Sequence, residues 1–313
     1  MDNELHTKLE AVLKNINKVL VGRNDAAKMV LAAVVARGHV LLEDKPGVGK
    51  TMLAKALSRS IGCKFSRIQF NADILPGDIT GVDIYTQEGE FKFVPGPIMS
   101  NLVLVDEINR GNPRAQSGLL EAMEEKQVTV GEESYQLNEP FCVIATQNPL
   151  DLAGTFPLAE GLLDRFMVTV SLGYPDISQE LNMLDLWQGS NPLDEVEQVI
   201  DAKEVIAAQE AVTKIYVEQS VKEYMVKLVQ KLRHDNQLRV GLSPRATLDV
   251  YQLSRAWALL HGRSYTLPDD VKAVASEALS HRLFLKDELA FGGVQAKYLV
   301  EEALTLITVP VVG

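Results

Sequence analysis

The chain has 313 residues, 46% of them hydrophobic, and a formal net charge of −11. The length suggests two domains or one large one, and the hydrophobic content is ordinary for a folded protein with a buried core. The acidic balance argues against a nucleic-acid surface that dominates the whole molecule, although a local basic patch is compatible with it.

The chain begins with a pattern that predicts an amphipathic helix and lacks the features of a signal peptide. Its longest apolar run, Val30 to Ala36, is far shorter than the roughly 20 residues of a bilayer span. Cys63 and Cys142 sit among apolar neighbours, which favours two buried thiols over a disulfide or a metal site. We therefore expect a soluble cytoplasmic protein without a membrane span.

From about Val19 to Leu172, short apolar runs alternate with helical patterns. This alternation indicates βαβ units and a mainly parallel sheet inside a three-layer αβα sandwich. Five runs are predicted to be buried strands: His39–Leu42, Lys64–Phe70, Leu102–Val105, Phe141–Ala145 and Met167–Ser171.

Two segments with period-2 alternation interrupt the sandwich and predict projecting hairpins, at 81–94 around a turn at 87–90 and at 126–137 around a turn at 131–134. After Gly173 only helical patterns follow, so we expect a core over 1–173 and an all-helical lid over 174–313. The lid helices are predicted from an Asp201 cap to about Ile215, over Glu218–Arg233, from Ser243 to near Gly262, and from Pro268 onward.

The first predicted strand runs into a glycine-rich loop, Asp44-Lys45-Pro46-Gly47-Val48-Gly49-Lys50-Thr51, and then into a helix from Met52. Such a loop turns backbone N–H groups towards an anion, and the helix N-terminus adds positive potential. Lys50 is predicted to reach the β- and γ-phosphates of a nucleotide and Thr51 to ligate Mg²⁺. Asp44 stands where the usual pattern has glycine, and a carboxylate there could weaken phosphate binding.

The third predicted strand, Leu102–Val105, ends in two carboxylates, Asp106 and Glu107. Carboxylates at the end of a buried strand need partners. Beside a phosphate loop, Asp106 is expected to hold Mg²⁺ and Glu107 to activate or position the attacking water. The alternative is that both acids only cap the helix that follows.

Several motifs resemble those of the MoxR family of AAA+ ATPases across nearly the whole chain. They are LVLVDEINRGNPRAQSGLLEAM at 102–123, ATQNPLDLAGTFPLAEGLLDRF at 145–166 and GLSPRA at 241–246, together with the two hairpins. The resemblance implies a P-loop αβα core with a helical lid, ATP and Mg²⁺ as cofactors, and a homo-oligomeric ring, expected to be a hexamer. It also implies chaperone-like maturation of client proteins, with a partner that carries a von Willebrand factor A domain.

The resemblance also implies roles for residues outside the loop and the acids. Val21 and Gly22 would line the adenine pocket, and Asn148 would be sensor 1, unless it belongs to an ordinary Asn-Pro turn. Arg165 would be the arginine finger that reaches a neighbouring subunit's ATP, or else a cation at a helix C-terminus. Arg245 would be sensor 2, because a cation in the first turn of a helix suggests an anion opposite.

Other positions are less settled. Arg110 could serve a subunit interface or solvent, and the sequence departs from the family pattern at Asp44, Asp151, Gly161 and Leu162. The five histidines show no spacing that suggests a metal site.

Two other functions remain open. A nucleic-acid motor would use basic and aromatic hairpins, whereas Glu132 and Glu133 occupy the tip of the second hairpin. A scaffold that binds nucleotide without hydrolysing it is suggested by Asp44.

Overall fold

The structure is a computed structural model that describes residues 3–87, 89–149, 154–187, 189 and 191–310. Its helices are α1 (Asn3–Val19), α2 (Asn24–Val35), α3 (Lys50–Ser60), α4 (Pro76–Thr80), α5 (Pro113–Glu125), α6 (Glu160–Leu163), α7 (Ile177–Leu186), α8 (Ala202–Lys214), α9 (Gln219–Arg233), α10 (Pro244–Leu260), α11 (Pro268–Leu279), α12 (Asp287–Phe291) and α13 (Ala296–Leu306). Its strands are β1 (His39–Glu43), β2 (Phe65–Gln69), β3 (Gly81–Tyr85), β4 (Phe91–Pro95), β5 (Leu102–Asp106), β6 (Gln127–Val130), β7 (Glu133–Gln136), β8 (Cys142–Gln147), β9 (Phe166–Val170), β10 (Leu238–Val240) and β11 (Phe284–Leu285).

Five strands form one parallel sheet in the order β2-β5-β8-β1-β9. All five are predicted strands, and their predicted ends lie within two residues of the observed ends. Side chains alternate across the sheet, so Val40 and Leu42 join one apolar cluster and Leu41 joins the other. Because both faces are covered, these strands are apolar along their whole length.

The helical second half packs on the same face of the sheet as α1 and α2. Leu9 of α1, Val30 of α2, Leu259 of α10 and Val271 of α11 belong to one buried cluster. Asp201 accepts a hydrogen bond from the Glu204 backbone and caps α8, as predicted. All four predicted lid helices are present, as α8 to α11, and they share a buried core with the αβα half of the chain.

A short antiparallel ribbon of β10 and β11 accompanies these helices. This ribbon was not predicted, because segments of three and two residues are too short to show a period. Near it, Arg282 is buried, forms an ion pair with Asp249 and donates to the backbone oxygen of Phe166 at 2.8 Å. This contact joins the end of α11 to the beginning of β9.

Both predicted hairpins are present, as β3–β4 and β6–β7. They touch through Phe93 and Tyr135, whose rings stack with centroids 3.9 Å apart. The side chains of Tyr85 and Phe91 near the first turn are exposed. Glu88, part of that predicted turn, lies outside the described residues.

Cys142 is buried as predicted, whereas Cys63 is only half-buried, and both are free thiols. Within the described ranges, no helix combines the length and hydropathy that a membrane crossing requires.

Candidate active site

The glycine-rich loop joins the carboxyl end of β1 to the N-terminus of α3. Gly47 and Gly49 have φ angles of +84° and +99°, a region that residues with a Cβ rarely adopt. Gly49 is the N-cap of α3, so Lys50 and Thr51 occupy its first turn. The sequence forms this anion cradle locally because glycine is present where left-handed backbone is needed.

Lys50 points back into the loop. Its Nζ donates to the backbone oxygen of Asp44 at 2.5 Å and to that of Gln147 at 3.4 Å. Burial lowers the pKa of Lys50, while the charges of nearby acids, among them Asp106 and Glu107, oppose that shift. The loop lysine and the two predicted acids therefore lie within electrostatic reach of one another.

The Asp44 carboxylate is engaged at the end of β9. Its Oδ2 accepts hydrogen bonds from the backbone nitrogens of Leu172 at 2.6 Å and Gly173 at 2.8 Å, and from Ser171 Oγ at 3.0 Å. Its Oδ1 accepts from the Lys45 nitrogen at 3.1 Å. These bonds satisfy the oxygens of the carboxylate within the protein and hold it at the end of β9, while its effect on phosphate binding stays a prediction.

A cavity of about 530 Å³ opens beside the loop, within the size range of small-molecule sites. Its wall on the loop side contains six residues predicted to bind nucleotide: Val21, Pro46, Gly47, Val48, Gly49 and Met52.

Helix α7 and the residues before it form the opposite wall of this cavity, with Tyr174, Met183, Leu184 and Trp187. Gly22, predicted to lie beside adenine, packs closely against Gln179 of α7. A Cβ added to Gly22 would lie only 2.1 Å from Cδ of Gln179. The apolar lining suits a flat base, while the adenine-binding role of Val21 and Gly22 stays a prediction.

Asp106 and Glu107 lie at the same edge of the sheet as the loop. Asp106 is 6% exposed, and its carboxylate accepts from Arg67 Nε at 2.6 Å and from Thr146 Oγ1 at 3.1 Å. The Thr146 hydroxyl in turn accepts from the Glu107 backbone nitrogen at 2.9 Å. Thr146 thus fixes the turn that separates the two acids.

Glu107 has a left-handed backbone, with φ at +56°. Its carboxylate accepts from Gln69 Nε2 at 3.0 Å and pairs with Arg110 Nε at 3.1 Å. The sequence left the role of Arg110 open, and the structure places this residue beside the two acids. The helix-cap alternative finds no support, because the turn over Ile108–Arg110 has no side-chain cap bond and α5 is capped by Asn112; the catalytic roles of the acids stay predictions.

Sequence reasoning missed Arg67, Gln69 and Thr146. Arg67 and Gln69 stand two residues apart on β2, so they share one face of a strand that runs beside β5. The sequence did contain a signal for them, because two polar residues at alternate positions of a predicted core strand indicate a polar contact on one face of the sheet. Thr146 gave no comparable signal, because it is one buried polar residue in an apolar strand.

Asn148 directly follows β8, which lies between β1 and β5 as expected. Its backbone oxygen accepts from Asn109 Nδ2 at 3.5 Å. The position brings Asn148 to the edge that carries the loop and the acids, while its role as sensor 1 stays a prediction.

Arg165 and Arg245 lie at the opposite edge of the sheet. Arg165 precedes β9, and the next residue, Phe166, pairs with His39 at the first residue of β1, whereas the phosphate loop follows the last residue of that strand. Arg165 Nε donates to Glu124 at 3.0 Å, and Arg245 Nη1 lies 4.0 Å from the same carboxylate. The five-residue strand β1 lies between this arginine pair and the phosphate loop of the same chain. At 3.3 Å per residue, the two ends of the strand are roughly 15 Å apart.

The remaining predictions concern single positions. Asp151 lies outside the described residues, and Leu162 is buried in the second core cluster. His39 is buried, its ring contacts the Met123 oxygen and the Val143 nitrogen at 3.0 Å each, and it lies at the sheet edge away from the cavity. Among the described residues, no group of three or more His, Cys, Asp or Glu side chains is arranged to hold a metal ion.

Comparisons with known proteins agree with this fold. The profile of the "ATPase family associated with various cellular activities (AAA)" matches residues 39–168, and an AAA lid domain profile matches 230–302. The boundary at Gly173 stays a prediction. A Bacillus subtilis protein, YeaC, is 48% identical over 98% of this chain and 97% of its own length.

Two further relatives carry informative descriptions. Chaperone MoxR1 of Mycobacterium tuberculosis is 34% identical over 99% of this chain and 84% of its own length. A solved structure of a candidate ATPase from Cytophaga hutchinsonii superposes with a TM-score of 0.90 at 34% identity, covering 98% of this chain and 96% of that one.

Proposed function

The chain belongs to the MoxR family of AAA+ ATPases, and on that premise we propose that it hydrolyses ATP with Mg²⁺ and couples hydrolysis to chaperone-like maturation or activation of client proteins. The observation that carries the proposal is the convergence at one edge of the sheet. The phosphate loop, Lys50, Asp106, Glu107 and Asn148 meet there, beside a cavity of nucleotide size.

The residues present suit Mg²⁺ bound together with ATP. Asp106 offers a buried carboxylate and Thr51 a hydroxyl in the first turn of α3, and Mg²⁺ prefers such oxygen ligands together with phosphate oxygens and water. When bound, the ion would supply neutralisation of charge on the β- and γ-phosphates.

The chain's own residues would do the remaining work. Backbone N–H groups of the loop and Lys50 would hold the phosphates, and Asn148 would orient the attacking water. Glu107 would accept or position a proton of that water, and its anchors Gln69 and Arg110 would set its orientation.

We further propose that the active unit is a homo-oligomeric ring, hexameric on the family resemblance. Arg165 and Arg245 point away from their own loop, so each is better placed to meet the ATP of a neighbouring subunit. Arginine supplied in this way neutralises transition-state charge and is worth roughly 10³–10⁵ in rate. We place the ring in the cytoplasm on the sequence expectation alone.

The client is proposed to be a protein. The tip of the second hairpin exposes Glu132 and Glu133, and this acidic tip suits a polypeptide better than a phosphate backbone. Lys126, one of the few basic residues near the hairpins, is paired with Glu139 at 2.6 Å. A partner with a von Willebrand factor A domain stays part of the proposal through the family resemblance.

The test is the ATPase rate against protein concentration for wild type, Glu107→Gln and Arg165→Ala. Specific activity of the wild type should rise with concentration as rings assemble. Both variants should bind ATP, and both should lose turnover by at least about a hundredfold. A wild type that binds no ATP would refute the proposal, and stimulation by DNA at two salt concentrations would favour a nucleic-acid motor instead.

A further inference from the structure

The Asp44 carboxylate connects the phosphate loop to the segment that leads to the opposite wall of the cavity. It accepts from three donors in consecutive residues, Ser171, Leu172 and Gly173, where the chain leaves β9. The same residue accepts from Lys50 through its backbone oxygen and donates to the Gln147 oxygen at 3.1 Å through its backbone nitrogen. A glycine here could make the backbone bonds but none of the bonds to residues 171–173.

The segment after β9 is held from two sides. The Gly173 nitrogen donates to Asp44 at 2.8 Å, and the Gly173 oxygen accepts from Arg23 Nη2 at 2.8 Å. Tyr174 follows directly and lines the cavity, and α7 begins three residues later. The position of the second wall therefore depends on the direction in which the chain leaves Gly173.

Helix α7 has little packing of its own. None of its ten residues is buried, and Ile177 and Leu184 are 80% and 66% exposed. A helix with so few buried contacts takes its position from its attachments, which include the segment at 171–173 and the contact between Gln179 and Gly22. Among the described residues, the phosphate loop contacts the segment before α7 through the three bonds to Asp44 and through Lys45, whose Nζ lies 5.0 Å from the centroid of the Tyr174 ring.

We propose that Asp44 is a positioning residue that sets the distance between the phosphate loop and the α7 wall, and so determines how tightly the nucleoside part of ATP or ADP is held. This inference rests on the proposed nucleotide site. It assigns a specific purpose to the residue that departs from the usual loop pattern. Asp44 itself is not proposed to touch a phosphate.

The experiment compares ligands that contain a nucleoside with one that consists of phosphates alone. Mg-ATP and Mg-ADP should contact both walls, whereas inorganic tripolyphosphate should contact only the loop. For Asp44→Ala we expect the Kd of ATP and of ADP to rise roughly tenfold, the effect of losing hydrogen bonds to a charged group. The Kd of tripolyphosphate should change by less than about twofold, because the loop glycines and Lys50 are unaltered.

The position of the wall can be followed directly. The chain has two tryptophans, and one of them, Trp187, lines the cavity at 53% exposure. In a Trp257→Phe background, acrylamide quenching of Trp187 without nucleotide should increase in Asp44→Ala. It should return towards wild type in Asp44→Asn, which keeps an oxygen acceptor for the two backbone nitrogens.

Two further variants keep the test decisive. Ser171→Ala removes one of the three donors and should change ATP affinity in the same direction by a smaller factor, so the test survives if Asp44→Ala does not fold. Lys50→Ala should lose ATP, ADP and tripolyphosphate alike, with Trp187 quenched as in wild type.

Equal weakening of ATP and tripolyphosphate by Asp44→Ala would overturn the proposal, as would unchanged ATP affinity with unchanged quenching. If the wild type bound no nucleotide, the proposed function would fail. The quenching comparison would still report whether Asp44 positions α7.

Discussion

Asp106 and Glu107 are neighbours in the sequence with different surroundings. Asp106 is buried between Arg67 and Thr146, which fixes its carboxylate at the end of β5. Glu107 is half-buried, and its left-handed backbone turns it away from the strand direction at a cost of roughly 1–2 kcal/mol. The Thr146 hydroxyl helps to offset this cost, because it accepts from the Glu107 nitrogen and donates to Asp106.

Replacing Thr146 by valine should therefore damage both stability and activity. The variant keeps the shape of the side chain but leaves the Glu107 N–H without its acceptor. We expect the free energy of unfolding to fall by about 1–3 kcal/mol in urea titrations. We also expect kcat to fall by roughly tenfold, as Glu107 loses its alignment.

Thr169→Val is the matched control for this change. Within the described part of the chain, the buried Thr169 Oγ1 makes no hydrogen bond, so its removal should be nearly neutral. Equal losses in the two variants would mean that the Thr146 hydrogen bonds contribute nothing specific.

At the level of elements, the sequence predicted most of what is local. Continuous apolar runs identified all five core strands, and a capping residue identified the beginning of α8. Prediction failed where the determinant is a partner distant in sequence. Asp44 is satisfied by residues 127 to 129 positions away, and no local pattern announces that contact.

The same reason limits prediction of the candidate site. The loop and the two acids are contiguous motifs, and the sequence was sufficient to propose them. Arg67 reaches Asp106 only because β2 and β5 pair in a particular register, which the sequence does not state. Likewise, the edge at which Arg245 lies depends on how α10 packs against the sheet.

The first residue of β1 gives an element-level prediction for acid stability. Burial, together with the charges of Arg245 and Lys126, lowers the pKa of His39 from 6.5 to about 4. The unfolded chain therefore binds a proton that the folded chain refuses, so stability falls as the pH drops from 6.5 towards 4. This histidine alone should lower the free energy of unfolding at pH 5 by about 2 kcal/mol relative to pH 7.

The measurement is urea unfolding of wild type and His39→Gln at pH 7 and pH 5. Between pH 7 and pH 5 the free energy of unfolding should fall by about 2 kcal/mol less in His39→Gln than in wild type. This difference is expected even if the variant is less stable at both pH values. His234→Gln removes an exposed histidine and serves as the control. If the stability of His39→Gln fell with pH as much as that of wild type, His39 would not be the group that resists protonation.

At the level of the whole molecule, the charges proposed for catalysis are divided between two edges of one sheet. The carboxyl edge carries the loop and the acids, whereas the amino edge carries Arg165 and Arg245 around Glu124. A single copy cannot bring the two edges together, because they belong to opposite ends of the same strands. Closed rings solve this problem through heterologous contacts, in which the amino edge of one subunit meets the carboxyl edge of the next.

This division predicts that two inactive variants restore activity when they are mixed. Glu107→Gln has a defective water site and an intact Arg165, and Arg165→Ala has the reverse. In a random 1:1 ring, about a quarter of the sites combine an intact Glu107 with an Arg165 from the neighbour, so activity should return to about a quarter of wild type. Each variant alone, at the same total concentration, should remain near background. If Arg165 served the ATP of its own subunit, every subunit in the mixture would carry one defect, and no activity would return after subunit exchange.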